Sequence, residues 1–103
     1  MQKQRDGGDK RMIKQIKYFQ AVVRCKSFTE AAAECFISQS AISQQIQALE
    51  QELGVKLLNR ENRKFSLTPA GEHFYRKSLV LIGDFERMCN EAVRIVVVKF
   101  HRQ

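Results

Sequence analysis

Apolar residues recur every three or four positions near the beginning of the chain, between Met12 and Lys26. They are Ile13, Ile16, Phe19, Val22 and Val23. This spacing places them on one face of an α-helix and predicts a helix over the segment. Residues 1–11 contain no apolar residue except Met1. We therefore expect a flexible arm there, or an extension that precedes a natural start at Met12.

A short second helix is predicted directly behind the first. Ser27 and Glu30 have the spacing of a capping box, which satisfies free backbone donors at the start of a helix. The helix is expected to end at Cys35. Its predicted buried side comprises Phe28, Ala31, Ala32 and Cys35.

The clearest amphipathic pattern follows, in a helix that we expect to begin after the N-cap Ser38 and to end before Gly54. Its apolar stripe consists of Ile42, Ile46, Leu49 and Leu53. The opposite face is polar and almost wholly uncharged, and carries Gln39, Ser40, Ser43, Gln44, Gln47 and Gln51. Since only a short connection separates this helix from the preceding one, the two form a helix-turn-helix candidate.

Beyond Gly54 the pattern changes to that of a hairpin and then of a long helix. Residues 57–60 and 64–67 are predicted as two short strands joined at residues 61–63. Thr68 is expected to cap the last helix, with Pro69 as its first residue. No proline follows, so this helix is predicted to run to about Val98.

The predicted fold class is therefore mainly α, and the elements divide the chain into four parts. The flexible arm comprises residues 1–11, and the head, with three helices and a small β-hairpin, comprises residues 12–68. The long helix comprises residues 69–98, and a tail comprises residues 99–103.

Charge adds a prediction about the partner. The 103 residues carry 18 lysines and arginines against 11 acidic residues, a formal net charge of +7. Such an excess on a small domain favours an anionic partner, with nucleic acid first and a membrane surface second. No apolar run is long enough to span a membrane.

The remaining chemistry-bearing residues give little indication of catalysis. His73 and His101 lie far from any second ligand at metal-binding spacing. No nucleotide-binding loop, nucleophile elbow or zinc-protease motif is present. We therefore expect no enzyme activity, no catalytic residue, no metal and no cofactor. The three cysteines, Cys25, Cys35 and Cys89, are odd in number and widely spaced, so a reducing cytoplasm is expected.

The polar face of the third helix suits the base edges of a DNA major groove. A glutamine amide both donates and accepts, so it can bridge adenine N6 and N7, and a serine hydroxyl can serve either role. Taken alone, such a face is more often ordinary solvated surface. The hairpin changes this balance because Arg60, Arg63 and Lys64 would form a basic wing beside it, and the negative potential of a narrow minor groove attracts arginine.

Several segments together resemble the DNA-binding domain of LysR-type transcriptional regulators, in order and spacing, over about residues 12–95. They are SFTEAA (27–32), SQSAISQQI (38–46), LEQELGVKLL (49–58), Arg60, Arg63 and LTPAG (67–71). The resemblance implies a winged helix-turn-helix followed by a long linker helix that dimerises. It also implies regulation of bacterial genes. The family normally continues with a two-lobed effector domain, which we expect to be absent here because the chain ends at Gln103, and with it any small-molecule ligand.

The resemblance also suggests roles for individual residues. It implies base contacts from Gln39, Ser40, Ser43 and Gln44, a minor-groove contact from Arg63, and a place near phosphate for Ser27 and Thr29. We further expect a base contact from Gln47, a minor-groove contact from Lys64, and phosphate contacts from Ser38 and Arg60. Many family members carry proline at the position of Ser40 and arginine at that of Gln44, and the missing arginine should remove one phosphate or guanine contact.

The last helix predicts a homodimer independently of the resemblance. Apolar residues recur there in heptads, and the predicted interface comprises Phe74, Ser78, Leu81, Ile82, Phe85, Met88, Cys89, Ala92 and Ile95. A twofold partner would cover this stripe and set two recognition helices about 34 Å apart on a palindromic, A/T-rich operator. Higher oligomers are expected only of a full-length form. Two alternatives remain: the stripe packs on the chain's own head, or it pairs with a full-length relative and modulates that protein.

Overall fold

The computed structural model describes residues 6–61 and 64–101, and the side chains of residues 11–61 and 64–96. The helices are α1 (Asp6–Cys25), α2 (Phe28–Glu34), α3 (Gln39–Leu53) and α4 (Pro69–His101). The strands are β1 (Leu58–Glu61) and β2 (Lys64–Leu67), which form a two-stranded antiparallel hairpin. The predicted mainly α fold, with three helices, a hairpin and a long last helix, is confirmed.

The core lies where α1, α2 and α3 meet, and the predicted apolar faces supply it. Its buried residues are Phe19, Ala21, Val22, Ala31, Ala32, Ile42, Ile46, Leu49, Leu57 and Leu58. Leu53, Phe28 and Cys35, which were also predicted to be buried, are half-buried and pack against the edge of this cluster.

The predicted caps fix where the helices of the head begin and end. The Ser27 hydroxyl accepts a hydrogen bond from the backbone N–H of Glu30 at 3.0 Å, and the Ser38 hydroxyl accepts one from that of Ala41 at 3.0 Å. Gly54 ends α3 with φ +80°, in the left-handed region that glycine adopts without steric cost. These local signals confirm the helix-turn-helix expected from the sequence.

Several element boundaries differ from the prediction. Helix α1 begins at Asp6, so residues 6–11, predicted as part of a flexible arm, are helical. Helix α4 continues to His101, so residues 99–101 of the predicted tail are helical as well. The arm was predicted because residues 1–11 contain two glycines and almost no apolar residue, yet α1 runs through Gly7 and Gly8 in spite of their low helix propensity. The first strand runs from Leu58 to Glu61 rather than over residues 57–60. Helices α1 and α2 each end one residue earlier than predicted, at Cys25 and Glu34.

The start of α4 packs closely against the head. The Phe19 ring meets the rings of Phe74 and Tyr75 edge-on, with centroids 6.0 and 6.2 Å apart. A Cβ added to Gly71 would lie 2.0 Å from the carbonyl oxygen of Leu57, so only glycine permits this approach of helix to backbone. Further along, the helix extends away from the head, and the described part of the molecule measures 61 Å in its longest dimension.

Candidate nucleic-acid interface

Helix α3 presents the predicted polar face to solvent. Gln39, Ser40, Gln44 and Gln47 are exposed, and Ser43 is partly exposed. The isoleucines and leucines of the same helix face the core, so the two sides of α3 are separated as the sequence pattern predicts. This exposed strip is the centre of the candidate interface.

Gln39, the first residue of α3, is hydrogen-bonded to a side chain of α2. The Thr29 hydroxyl donates a hydrogen bond to Oε1 of Gln39 at 3.0 Å. Thr29 is the second residue of α2 and is itself exposed. The structure therefore joins a residue predicted to contact phosphate with one predicted to contact a base.

Ser43 is held in the same way by the hairpin. Nη1 of Arg60, a residue of β1, donates to the Ser43 hydroxyl at 3.3 Å. The Arg60 guanidinium also lies over the ring of Phe28, 5.2 Å from its centroid. Arg60 was predicted to contact phosphate, and its side chain, 27% exposed, instead lies between β1, α2 and α3 in the free chain.

Glu50, a residue of α3, anchors the hairpin to this helix and was not predicted from the sequence. Its buried carboxylate accepts hydrogen bonds from the backbone N–H groups of Leu57 and Leu58, at 2.8 and 3.1 Å through Oε2. Its Oε1 lies 3.9 Å from Nη2 of Arg60. The available signal was its position four residues after Ile46, on the buried stripe of α3.

Three of the predicted phosphate and wing residues, Ser27, Thr29 and Lys64, line one cleft beside this helix. A cleft of about 560 Å³ between the end of α1, the start of α2 and the hairpin is lined in part by Lys26, Ser27, Thr29, Gln39 and Lys64. Lys26 and Lys64 are exposed, so both can approach an anion there. Lys26 was not predicted, although its position just before the Ser27 cap could have indicated it. Arg63 lies outside the described residues.

The serines that cap α2 and α3 accept hydrogen bonds from backbone N–H groups through their hydroxyl oxygens. This bond does not use the hydroxyl hydrogen. The Ser38 hydroxyl also shares a 3.3 Å hydrogen bond with that of Ser40, in which either can be the donor. Both predicted phosphate contacts are thus placed at helix starts, where backbone dipoles also favour an anion.

Arg24, at the end of α1, forms an ion pair with Glu34 of α2, so the two charges compensate each other. The hydrogen bonds from Arg24 to the Glu34 carboxylate lower the pKa of Glu34 and raise that of Arg24. Burial, together with a hydrogen bond to Glu34, raises the pKa of the Cys25 thiol, and burial raises that of Cys35. Both cysteines are therefore kept as thiols, which react far more slowly than thiolates.

The predicted dimer residues on α4 fall into two groups. Phe74 and Ser78 pack against α1 of the same chain, where Gln20 Nε2 donates to the Ser78 hydroxyl at 2.9 Å and only 4% of Ser78 is exposed. Ile82 is half-buried. The remaining residues are all exposed and form what we call the α4 stripe: Leu81, Phe85, Met88, Cys89, Ala92 and Ile95.

Among the residues that the structure describes, no cluster of three or more His, Cys, Asp or Glu side chains is placed to hold a metal ion. In the same part of the chain, none of the helices is both long enough and apolar enough to cross a membrane.

Comparisons with known proteins agree with this geometry. The family model described as "Bacterial regulatory helix-turn-helix protein, lysR family" matches residues 13–72. The chain is 40% identical over 87 residues to the HTH-type transcriptional regulator BenM of Acinetobacter baylyi, which covers 84% of this chain and 29% of BenM. It spans less than a third of the length of BenM and of other curated relatives that it matches.

Solved structures give the same result. The crystal structure of the BenM DNA-binding domain with catB site 1 DNA matches at a TM-score of 0.78 and 40% identity, covering 82% of this chain and 90% of that one. A CbnR DNA-binding domain in complex with DNA matches at a TM-score of 0.76 and 34% identity, covering 82% and 97%. The fold is therefore a winged helix-turn-helix, and the chain belongs to the LysR family of bacterial regulatory helix-turn-helix proteins.

Proposed function

We propose that this chain is a DNA-binding domain that recognises specific duplex sequences as part of a transcriptional regulator, and that it is not an enzyme. The observation that carries the proposal is the exposed, uncharged polar face of α3, which lies beside a cleft lined by Lys26 and Lys64. Glutamine and serine on a protruding helix match the hydrogen-bonding edges of bases in a major groove. Similarity to BenM and CbnR domains in complexes with DNA supports the same reading.

The proposed roles follow the place of each side chain in the fold: on the exposed face of α3, beside it, or on the wing. The exposed face supplies the base contacts, from Gln39, Ser40, Ser43, Gln44 and Gln47. The flanking groups contact phosphate, and we assign Ser27, Ser38 and Arg60 to this role. The wing, with Arg63 and Lys64, reaches the minor groove. Phosphate contacts then provide most of the affinity and the α3 face most of the selectivity.

We further propose that two copies pair through the α4 stripe. Exposed apolar side chains of this size and continuity are unusual on a monomer, because soluble proteins seldom leave such patches uncovered. A twofold partner buries the same stripe from both sides and places the two α3 helices on successive turns of one DNA face. Acting on DNA, such a dimer belongs in the cytoplasm, at the nucleoid.

The test is selection of bound duplexes from a pool with a randomised centre. We expect the purified chain to enrich a palindromic, A/T-rich site, and its affinity for that site to fall steeply as salt is raised, because bound lysines and arginines release counterions from the DNA. Enrichment that is no greater than in a mock selection, or equal binding to the selected and the scrambled duplex, would refute the proposal.

A further inference from the structure

We propose that Thr29 is a positioning residue for sequence recognition: its hydroxyl holds Oε1 of Gln39 and turns the amide so that Nε2 faces the DNA as a donor. The inference rests on the proposed function and deepens it, because it specifies which groups of the base edge are read. It also gives Thr29 a role different from the phosphate contact expected from the sequence.

The first step in the argument is the hydrogen bond itself. The Thr29 hydroxyl donates to the Gln39 carbonyl oxygen at 3.0 Å, and both residues are exposed at the same cleft. An isolated glutamine at the start of a helix samples many rotamers, and fixing it before DNA arrives removes an entropic cost from binding. The bond therefore pre-organises one of the side chains proposed to contact a base.

The second step is the polarity that this bond imposes. With Oε1 already accepting from Thr29, the amide turns its two Nε2 hydrogens toward the groove. Donors match guanine O6 and N7, adenine N7 and thymine O4. The bidentate glutamine–adenine contact would have to use the second lone pair of Oε1 from the orientation that Thr29 sets, so donation by Nε2 is the contact that this arrangement favours.

The neighbouring base-contact candidate has the same polarity. Ser43 lies four residues after Gln39 on the same face, and its oxygen accepts from Arg60 Nη1 at 3.3 Å, which leaves the hydroxyl hydrogen to donate outward. Arg60 is itself held by the Phe28 ring and Glu50. Gln39 and Ser43, on one turn of α3, thus accept hydrogen bonds from α2 and β1 respectively, and each has hydrogens left to donate to the groove.

The start of α2 is fixed firmly enough for Thr29 to act in this way. Ser27 caps α2, and the Phe28 ring packs edge-on against Phe65 of β2 with centroids 5.4 Å apart. Thr29, the next residue, therefore projects from an anchored turn toward α3. A hydroxyl in this place can also approach a phosphate, so the experiment has to separate the two roles.

The experiment uses the full chain and the duplex selected by it, with every single base-pair substitution of that duplex. Thr29→Val keeps the shape and removes the hydroxyl, whereas Thr29→Ser keeps the hydroxyl. We expect Thr29→Val to lose about two- to ten-fold in affinity for the selected duplex, the range for one neutral hydrogen bond, with the loss of discrimination confined to one base pair per half-site. Thr29→Ser should restore most of it.

A double-mutant cycle decides between positioning and phosphate contact. If Thr29 acts through Gln39, Thr29→Val should have little further effect in a chain that already carries Gln39→Ala. A loss that is equal on all duplexes and persists in the Gln39→Ala chain identifies a phosphate contact and overturns the inference. Circular dichroism of each variant checks that α2 remains folded, and the Thr29→Ser comparison holds even where Thr29→Val lowers stability.

Base analogues test the polarity. One set removes a single acceptor, with 7-deazapurines or a thymine analogue without O4, and the other removes a single donor, with purine for adenine or a cytosine analogue without N4. We expect one acceptor-deleting analogue to lower the affinity of the wild-type chain for the duplex, and we expect this loss of affinity to disappear in the Gln39→Ala chain. Coupling to a donor-deleting analogue, or to neither set, overturns the inference. If the wild-type chain shows no sequence preference at all, the proposed function fails and this inference fails with it.

Discussion

Glu50 shows how one side chain sets the geometry between the recognition helix and the wing. Its carboxylate accepts from two consecutive backbone N–H groups at the point where the chain leaves α3 for β1. Buried N–H groups without an acceptor are costly, because they give up water and gain nothing in return. A residue with no proposed contact to DNA therefore fixes the place of residues that have one.

We expect Glu50→Ala to destabilise the head by about 2–4 kcal/mol, because two buried donors lose their acceptor at roughly 1–3 kcal/mol each with partial relaxation. Glu50→Gln should cost less, since its amide oxygen still accepts. The free energy of unfolding from urea titrations measures both. Glu52→Ala, at an exposed position on the same helix, is the matched control, and a loss equal to that of the control would contradict the assigned role.

At the scale of elements, the position of α4 depends on a glycine that the sequence pattern does not distinguish from another in the same helix. Gly71 lies where α4 meets the backbone at Leu57, whereas nothing lies within 4 Å of a Cβ added to Gly83. The Thr68 cap adds to this junction, since its hydroxyl accepts from the Gly71 N–H at 2.9 Å and donates to the Lys56 carbonyl at 2.7 Å. The head and the linker helix are thus joined through backbone contacts.

The same substitution is expected to have opposite effects at the two glycines. Gly71→Ala should destabilise the chain by about 1–3 kcal/mol, because the added methyl group meets a carbonyl oxygen that belongs to the backbone. Gly83→Ala should stabilise it by up to about 1 kcal/mol, the difference in helix propensity between the two residues. Thermal unfolding of both variants gives the comparison. If both substitutions stabilise the chain, the close approach of α4 to the backbone at Leu57 does not require glycine.

At the scale of the whole molecule, the exposed part of α4 governs assembly. The head covers Phe74 and Ser78, so this part of the predicted dimer interface is occupied by α1 within the chain. An ion pair between Lys17 of α1 and Glu86 of α4 shows that contact between the two helices extends at least to Glu86. The α4 stripe continues beyond the head, and we propose that pairing depends on this outer segment.

Leu81→Asp should weaken self-association by at least about a hundredfold, since a twofold interface loses two buried leucines at roughly 1.5–3 kcal/mol each. Val80→Asp is the control: Val80 is similarly exposed, 60% against 67% for Leu81, but lies off the heptad stripe. Analytical ultracentrifugation of both variants measures the dimer constant. Equal weakening by both substitutions, or by neither, contradicts pairing through this face.

Much of the fold could be predicted from the sequence because its signals are local. The apolar stripe from Ile42 to Leu49, the Ser27 and Ser38 caps and the Gly54 terminus each depend on residues within a few positions of one another. The helix ends at Asp6 and His101 were missed because the local signals there disfavour a helix: Gly7 and Gly8 have low helix propensity, and residues 96–98 are a β-branched run. The polar face of α3 was likewise visible as a pattern, because it is the remainder of an amphipathic helix.

The sequence by itself therefore determined which helices form, which faces they bury and which residues remain to meet a partner. The tertiary structure alone decided how those residues are turned: Thr29 behind Gln39, Arg60 drawn inward to Ser43, and Glu50 closing the start of the hairpin. The reason is physical. Periodicity specifies the side of a helix on which a residue lies, whereas the direction of a hydrogen bond between elements depends on how those elements pack.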